Sequence, residues 1–316
     1  MSLELWVWIE HDGATPRRVS LEVLGKASQL GTAVAVVLGH GASDVARQAA
    51  RVASRVIVVD DPSLGRYRAD SYAAALAELV GQQSPAALLA GATFDGRELA
   101  PRVAARLDAA FVGDAIDLAP DGQGSIAARH AVLGGKAYAW RRPRAGQMAV
   151  ITVRPNSFPL PPIHEPAPVE AASVTLPSPR GTMIEVRTGG SARPELTEAE
   201  VVVAGGRGMA SPEGFRLVES LADALGGAVG ASRAVVDAGW RPHADQVGKS
   251  GKTVSPRLYV ALGISGAVHH VMGMDTAKVV VAINRDPAAP IFKAADYGLV
   301  GDVLQVVPAL VERLKR

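Results

Sequence analysis

Gly263, Ser265 and Gly266 follow directly on the apolar run 258–262, and residues of these types at this spacing make an anion cradle. So short a run suits a buried parallel strand. A glycine turn leading from it into a helix start leaves backbone N–H groups facing an anion, and a pyrophosphate is the usual occupant. The stretch 258–284 (LYVALGISGAVHHVMGMDTAKVVVAIN) reads as strand, glycine turn, helix and strand in 27 residues, one nucleotide-binding βαβ unit. Its second strand, 278–283, ends in Asn284, at the carboxyl edge where ligands of open α/β sheets lie. Other polar turns recur upstream. Gly205, Gly206 and Gly208 follow the apolar run 201–204, Ser232 and Arg233 follow the small-residue turn Gly230 and Ala231, and Gln246, Gly248, Lys249, Ser250 and Gly251 form a polar loop before the 258–262 run. Side chains from the carboxyl ends of successive strands can converge on one crevice.

These turns need elements to hold them, and the composition allows a chain that builds them. With 316 residues, 48% of them apolar and 20% charged, the protein is long enough for two domains with separate cores. The net charge of +2 is spread without a basic block, so the pI near 9.0 does not point to nucleic acid. The absence of cysteine excludes disulfides, iron–sulfur ligation and thiolate catalysis, so redox chemistry must be borrowed from a bound molecule. The amino terminus, MSLELWVWIEHDG, lacks the charged n-region and long apolar core of a signal peptide, and no segment has membrane-span length. The expectation is a soluble, bacterial-type cytoplasmic protein with no membrane insertion.

The pattern divides near the middle. The first 150 residues alternate apolar runs at 5–9, 33–38, 56–59, 86–90 and 149–153 with helical patterns at 20–30, 42–53, 71–81 and 96–107, as a parallel or mixed α/β sheet does. Eight prolines then fall between Pro155 and Pro179, which reads as an extended surface crossing. A second soft patch, TGGSARP at 188–194, precedes a fresh α/β pattern. The expected division is 1–188, ending in the proline-rich crossing, and 189–316. In the second part Ser211 and Pro212 suit a helix start, Phe215, Val218, Leu221 and Leu225 fall at core spacing, and Gly226 and Gly227 end the helix. The first part has no Walker loop and no GxGxxG after a strand. GATFDGRE at 91–98 reads most plainly as a helix N-terminus.

The segments GGRG, VGASRAVVDAG, QVGKSGKTVSPRLYVALGISGAVHHVMGM, VVVAINRDPAAPIF and ADYGLVGDVLQVVP, in this order and spacing, resemble the α subunit of electron transfer flavoproteins. The likeness is dense over about the last 120 residues. It is looser upstream, at IEHDG, ATFDGRELAPRVAARL and ITVRP. The resemblance implies an amino-terminal mixed-sheet domain that pairs with a β subunit and a carboxyl-terminal doubly wound parallel-sheet domain that binds FAD. It implies one FAD per heterodimer, with AMP or a second FAD in the β subunit. It also implies electrons taken from acyl-CoA or related dehydrogenases and passed singly to a membrane quinone oxidoreductase. Such a protein is a carrier without substrate turnover of its own.

The family's site residues carry over where the motifs match. Arg207, Ser232, Ser265, Gly266 and Ala267, with Val268 following, resemble the groups around the FAD phosphates and the sugar chain joining them. Arg233 resembles the cation held against the isoalloxazine ring. Gln246, Val247, Gly248, Lys249 and Ser250 resemble the loop at the flavin edge, with the Ser250 hydroxyl near N5. Asn284, Asp302 and the Val303 backbone resemble the adenosine-side contacts. An added electron leaves negative charge over N1 and the C2 carbonyl of a flavin, and His270, near its own pKa, would donate a hydrogen bond there beside the fixed charge of Arg233. His269 and His270 as metal ligands is the weaker reading, because adjacent helix positions face apart and no third ligand is evident. Two positions depart from the family pattern: Lys249 and His269 stand where most relatives have glutamine. Both add potential positive charge. The competing reading is a nucleotide-binding enzyme for NAD or ATP, with Arg207 and Arg233 as phosphate clamps and His270 as acid or base, or an adenine-nucleotide sensor.

Overall fold

The computed structural model describes residues 3–133, 135, 137–178, 181, 184–185 and 193–315, and divides the chain into two compact units, Met1–Val186 and Arg187–Arg316. The soft patch expected at 188–194 lies, up to residue 192, outside the described residues. No described helix is long and apolar enough to cross a membrane.

The first unit runs β1 (Glu4–Trp8), α1 (Arg18–Leu30), β2 (Thr32–Gly39), α2 (Ser43–Ala49), β3 (Arg55–Asp60), α3 (Ala69–Gln83), β4 (Ala87–Gly91), α4 (Phe94–Leu107), β5 (Ala110–Pro120), β6 (Ile126–Val132), β7 (Ala137–Arg141), β8 (Ala149–Val153) and β9 (Val169–Ala171). The sheet order is β7-β6-β5-β8-β4-β1-β2-β3-β9. It is parallel except where β6 pairs antiparallel with β5 and β7. Strand β2, TAVAVVLG, is apolar on both faces because both faces are covered. Val19, Val23 and Ala46 of α1 and α2 pack on one face; Leu76, Leu79, Leu99 and Val103 of α3 and α4 pack on the other.

The strand order reverses at β1 and β4, where a doubly wound sheet opens its ligand crevice. A cavity lined by Glu10, His40, Tyr67 and Asp95 opens there, and one of its walls is braced from within. Buried Glu10 takes the Arg17 guanidinium at 3.0 Å and the Thr93 hydroxyl, while Thr93 Oγ accepts from Gly96 N at 2.9 Å and caps α4. The GATFDGRE stretch is thus a helix N-terminus.

Two features differ from the sequence-based expectation. The antiparallel strands β5 to β7 were not foreseen, because they are half-buried, carry polar residues throughout, and are interrupted by a bulge at Asp114, where φ is +58°. The proline-rich crossing adds an edge strand: β9 pairs parallel with β3, and His164 N and Ala167 N donate to Arg51 and Ala50 carbonyls. Proline is tolerated there because a sheet edge leaves one side of the backbone unpaired.

The second unit runs β10 (Val201–Gly205), α5 (Phe215–Ala224), β11 (Ala228–Ala231), α6 (Arg233–Asp237), β12 (Leu258–Leu262), α7 (Val268–Val271), β13 (Val279–Asn284), β14 (Tyr297–Val300) and α8 (Val303–Leu314). All strands are parallel, in the order β11-β10-β12-β13-β14. Phe215, Val218 and Leu221 of α5 and Val303, Val307 and Val311 of α8 bury one face against Val203, Val260 and Ile283. The helix expected from Ser211 begins at Phe215. Ser211 Oγ accepts from Gly214 N at 3.3 Å in a turn that precedes it.

The opposite face, with Tyr259, Val202 and Ala282, is covered by loops bearing Val247, Val254, Ile264, Met274 and Ile291. The helix expected inside 258–284 is only the single turn α7. The loop that follows β11 and α6 displaces it: a Cβ on Gly273 would lie 2.4 Å from Gly248 Cα, so the chain must stop coiling where these backbones touch.

Candidate functional site

Strand register sets the site. Gly205 is level with Leu262 and Ala231, and Leu262 with Ile283, so the residues that follow each strand meet along one carboxyl edge, at the switch point between β10 and β12. The first two loops join backbone to backbone. Gly208 N donates to Gly263 O at 3.0 Å, and a Cβ on Gly208 would lie 2.6 Å from Gly263 Cα. The 246–252 loop joins the end of β11 to α7, through Val247 N to Ala231 O at 2.9 Å and Lys249 N to His269 O at 2.8 Å. Asn284 braces the central turn: its Nδ2 donates to Ile264 O at 2.8 Å and its Oδ1 accepts from Asp286 N at 3.0 Å.

The turn itself is shaped for an anion. Gly266 has φ +86°, and Ser265 O accepts from Ile291 N at 3.0 Å. Among the described residues, nothing accepts from the N–H groups of Ser265, Gly266, Ala267 and Val268. The cap position of α7 is Ala267 without a side-chain cap, so Ser265 is not a helix cap and its hydroxyl stays exposed at the edge. Exposed Arg207 and Lys249 have no ion pair among the described residues. Exposed Arg233 holds Asp237 at 3.3 Å. The nearby acids are turned to backbone: Asp286 accepts from Ala288 N and Asp302 from Leu304 N. Free N–H groups and unpaired cations make this edge electropositive, which fits the phosphates of a dinucleotide.

The other expected residues take several positions. Ser232 N donates to Gly205 O at 3.0 Å, which ties β11 to β10 at the edge. Gln246 is buried and its Nε2 donates to exposed Ser250 Oγ at 3.0 Å, which ties the hydroxyl to the buried amide. The Val247 side chain is buried in the core, as is that of Val303, beside the cap residue Asp302. Val268 and His269 are exposed. Asn284 donates one amide N–H to Ile264 O and accepts one bond from Asp286 N, so it acts on the turn.

His270 corrects an expectation. It is buried, its Nε2 lies 2.8 Å from the Tyr259 hydroxyl, and its Nδ1 has no well-formed hydrogen bond. Burial lowers its pKa from 6.5 to about 4, opposed by the Val247 backbone, so it is a neutral imidazole and not a group near its own pKa. The unfolded chain therefore binds the proton first. Stability from this residue is complete above pH 6.5 and is lost as pH falls from 6.5 toward 4, up to roughly 3 kcal/mol. Melting temperatures at pH 7.5 and 5 are expected to fall more for the wild type than for His270→Phe, and equal falls would refute the burial effect. Tyr259, Gly273 and Ile291 were not foreseen as site residues. Tyr259 alone had a signal, as the single hydroxyl in an aliphatic strand.

Fold and edge together define a two-unit α/β protein whose second sheet presents a dinucleotide-type anion cradle. The model of the electron transfer flavoprotein domain matches residues 5–178, and that of the electron transfer flavoprotein FAD-binding domain matches 195–275. An electron transfer flavoprotein subunit alpha of Mycobacterium tuberculosis is 43% identical over 321 residues, 99% of this chain and 98% of its own length. Its counterpart in Syntrophomonas wolfei is 40% identical over 319 residues, 98% of this chain and 99% of its own. Protein FixB of Clostridium saccharobutylicum is 39% identical over 321 residues, 98% of this chain and 96% of its own. The chain belongs to the electron transfer flavoprotein α-subunit family, whose members are electron carriers and not substrate-turnover enzymes.

Proposed function

We propose that this chain carries FAD on the carboxyl edge of its second unit and works as the α subunit of a heterodimer that takes electrons from acyl-CoA-type dehydrogenases and hands them singly to a membrane quinone oxidoreductase. The observation that carries the reading is the run of free N–H groups from Ser265 to Val268, flanked by Arg207 and Lys249. FAD supplies a ring that stores and releases electrons. The chain's own part is to hold it: Arg207, Ser232, Ser265, Gly266 and Ala267 around the phosphates, Asn284, Asp302 and the Val303 backbone toward the adenosine half. Arg233, the Gln246–Ser250 pair and His270 lie on the ring side. Residues 1–188 serve as the base that pairs with the β subunit, in which AMP or a second FAD sits, and 189–316 as the FAD domain. Exposed Phe111, Tyr138 and Trp140 on β5 and β7 support a protein partner there. The complex acts in the cytoplasm.

The test is a visible spectrum during stepwise dithionite reduction of this chain co-expressed with its β-type partner. Flavin bands at about one FAD per complex, reduced in two separate one-electron stages, are expected. A colourless, intact complex that cannot be loaded with FAD would remove the reading and put an NAD or ATP enzyme in its place. Lys249 gives a finer test. A cation at the flavin edge favours the reduced, anionic forms, so Lys249→Gln is expected to lower the flavin potential, on the order of tens of millivolts, with a larger difference at low salt. Redox titration of both proteins decides, and equal potentials would sink this role for Lys249.

A further inference from the structure

Tyr259 is fully buried on β12, in the cluster formed by Val202, Ala204, Ala261, Val247 and Ala282. A hydroxyl sealed in such surroundings needs a partner, and the one it has among the described residues is His270 Nε2 at 2.8 Å. Burial also pushes its phenol well above the usual pKa, so it stays a protonated donor.

We infer that Tyr259 is a positioning residue, whose hydroxyl donates to Nε2 and so holds His270 in the one tautomer that carries its proton on Nδ1. The alternative tautomer leaves a buried group unpaired. With a proton on Nε2, the phenol oxygen would accept and its own O–H would be left buried without an acceptor. That loss favours the Nδ1–H form, by about tenfold. A hydroxyl suits this task where a carboxylate would not. It can rotate from donor to acceptor, so Nε2 can take up a proton without His270 leaving its place, and it adds no fixed charge beside the site. The consequence for electron carrying rests on the FAD reading above. The tautomer itself does not.

The test is a two-bond 1H–15N spectrum of the full chain labelled with 15N-histidine, recorded at pH 7.5 both free and as the FAD-loaded complex with its β-type partner. His270 signals are assigned by their loss in His270→Gln. The wild type is expected to show a protonated Nδ1 and an unprotonated Nε2, with the other tautomer tenfold or more below it. In Tyr259→Phe, which keeps the ring and removes only the hydroxyl, that excess is expected to fall several-fold. Protonated Nε2 or an even mixture in the wild type would overturn the inference, and needs no variant to fold. An unchanged ratio in Tyr259→Phe would overturn it as well. A colourless complex would refute the FAD reading while leaving the tautomer measurable in the free chain.

Discussion

Gly266→Ala is expected to leave a folded chain that no longer retains FAD. Gly266 has φ +86°, a conformation that costs a residue with a Cβ about 1–2 kcal/mol. The added methyl would also lie 2.2 Å from Ile291 N and 2.4 Å from Ile291 Cα, far inside contact distance and against backbone that cannot swing aside. The turn must therefore move away from Ile291, breaking the bond from Ile291 N to Ser265 O and turning the free N–H groups of Ser265 to Val268 out of register. Taken together the loss is about 3 kcal/mol or more, which is a hundredfold or greater fall in FAD affinity. Gly226→Ala is the control, since Gly226 has φ +63° but meets nothing within 4 Å. Flavin retained per chain after gel filtration, with melting temperature alongside, reads the difference. Wild-type flavin content in Gly266→Ala would show that this turn does not hold the cofactor.

Asn284→Asp has the second largest expected effect, and its size depends on pH. Asn284 is 9% exposed, and its amide both donates to Ile264 O and accepts from Asp286 N. An aspartate keeps the acceptor but sets a carboxylate oxygen against the Ile264 carbonyl in a nearly dry place. The cost is on the order of 2–4 kcal/mol for a lost donor and a buried charge. The anion cradle loses its brace, and FAD affinity is expected to drop by roughly 30-fold to 1000-fold at pH 8. A protonated aspartic acid can again donate to Ile264 O, so the defect should shrink toward pH 5. Asn284→Ala lacks that recovery, and it corrects for the acid weakening caused by His270. Titration of FAD into the three proteins at both pH values reads the effect. Equal affinities for wild type and Asn284→Asp at pH 8 would show that the bond to Ile264 does not position the turn.

These two residues mark different degrees of legibility. Gly266 could be read directly, because a glycine four residues past a short apolar strand, after Gly263 and Ser265, has few purposes other than a turn or a close approach. Asn284 was placed correctly at a strand end, where the family resemblance suggested an adenosine-side contact; its bonds to Ile264 O and from Asp286 N had no signal in the sequence. The short parallel strands of both units and helices α1, α3, α4 and α5 were readable because their apolar residues repeat with a local period. The β5 to β7 strands were not, since their half-buried alternation is broken by polar residues and a bulge.

The sequence by itself determined which segments become buried strands, that their carboxyl ends carry glycine, serine, arginine and histidine, and, through motif order, the family. Local periodicity and backbone permissiveness decide these matters within ten or twenty residues. Only the tertiary structure decided that the helix after β12 is one turn long, that Glu10 beside the switch point of the first sheet binds Arg17 and Thr93, and that His270 is a neutral ring bound to Tyr259. Each of these depends on what arrives from elsewhere in the chain: Gly248 against Gly273, Thr93 against Glu10, the Tyr259 hydroxyl against Nε2. A residue's charge state and hydrogen-bond partners follow from burial and from groups distant in sequence, which no local pattern encodes.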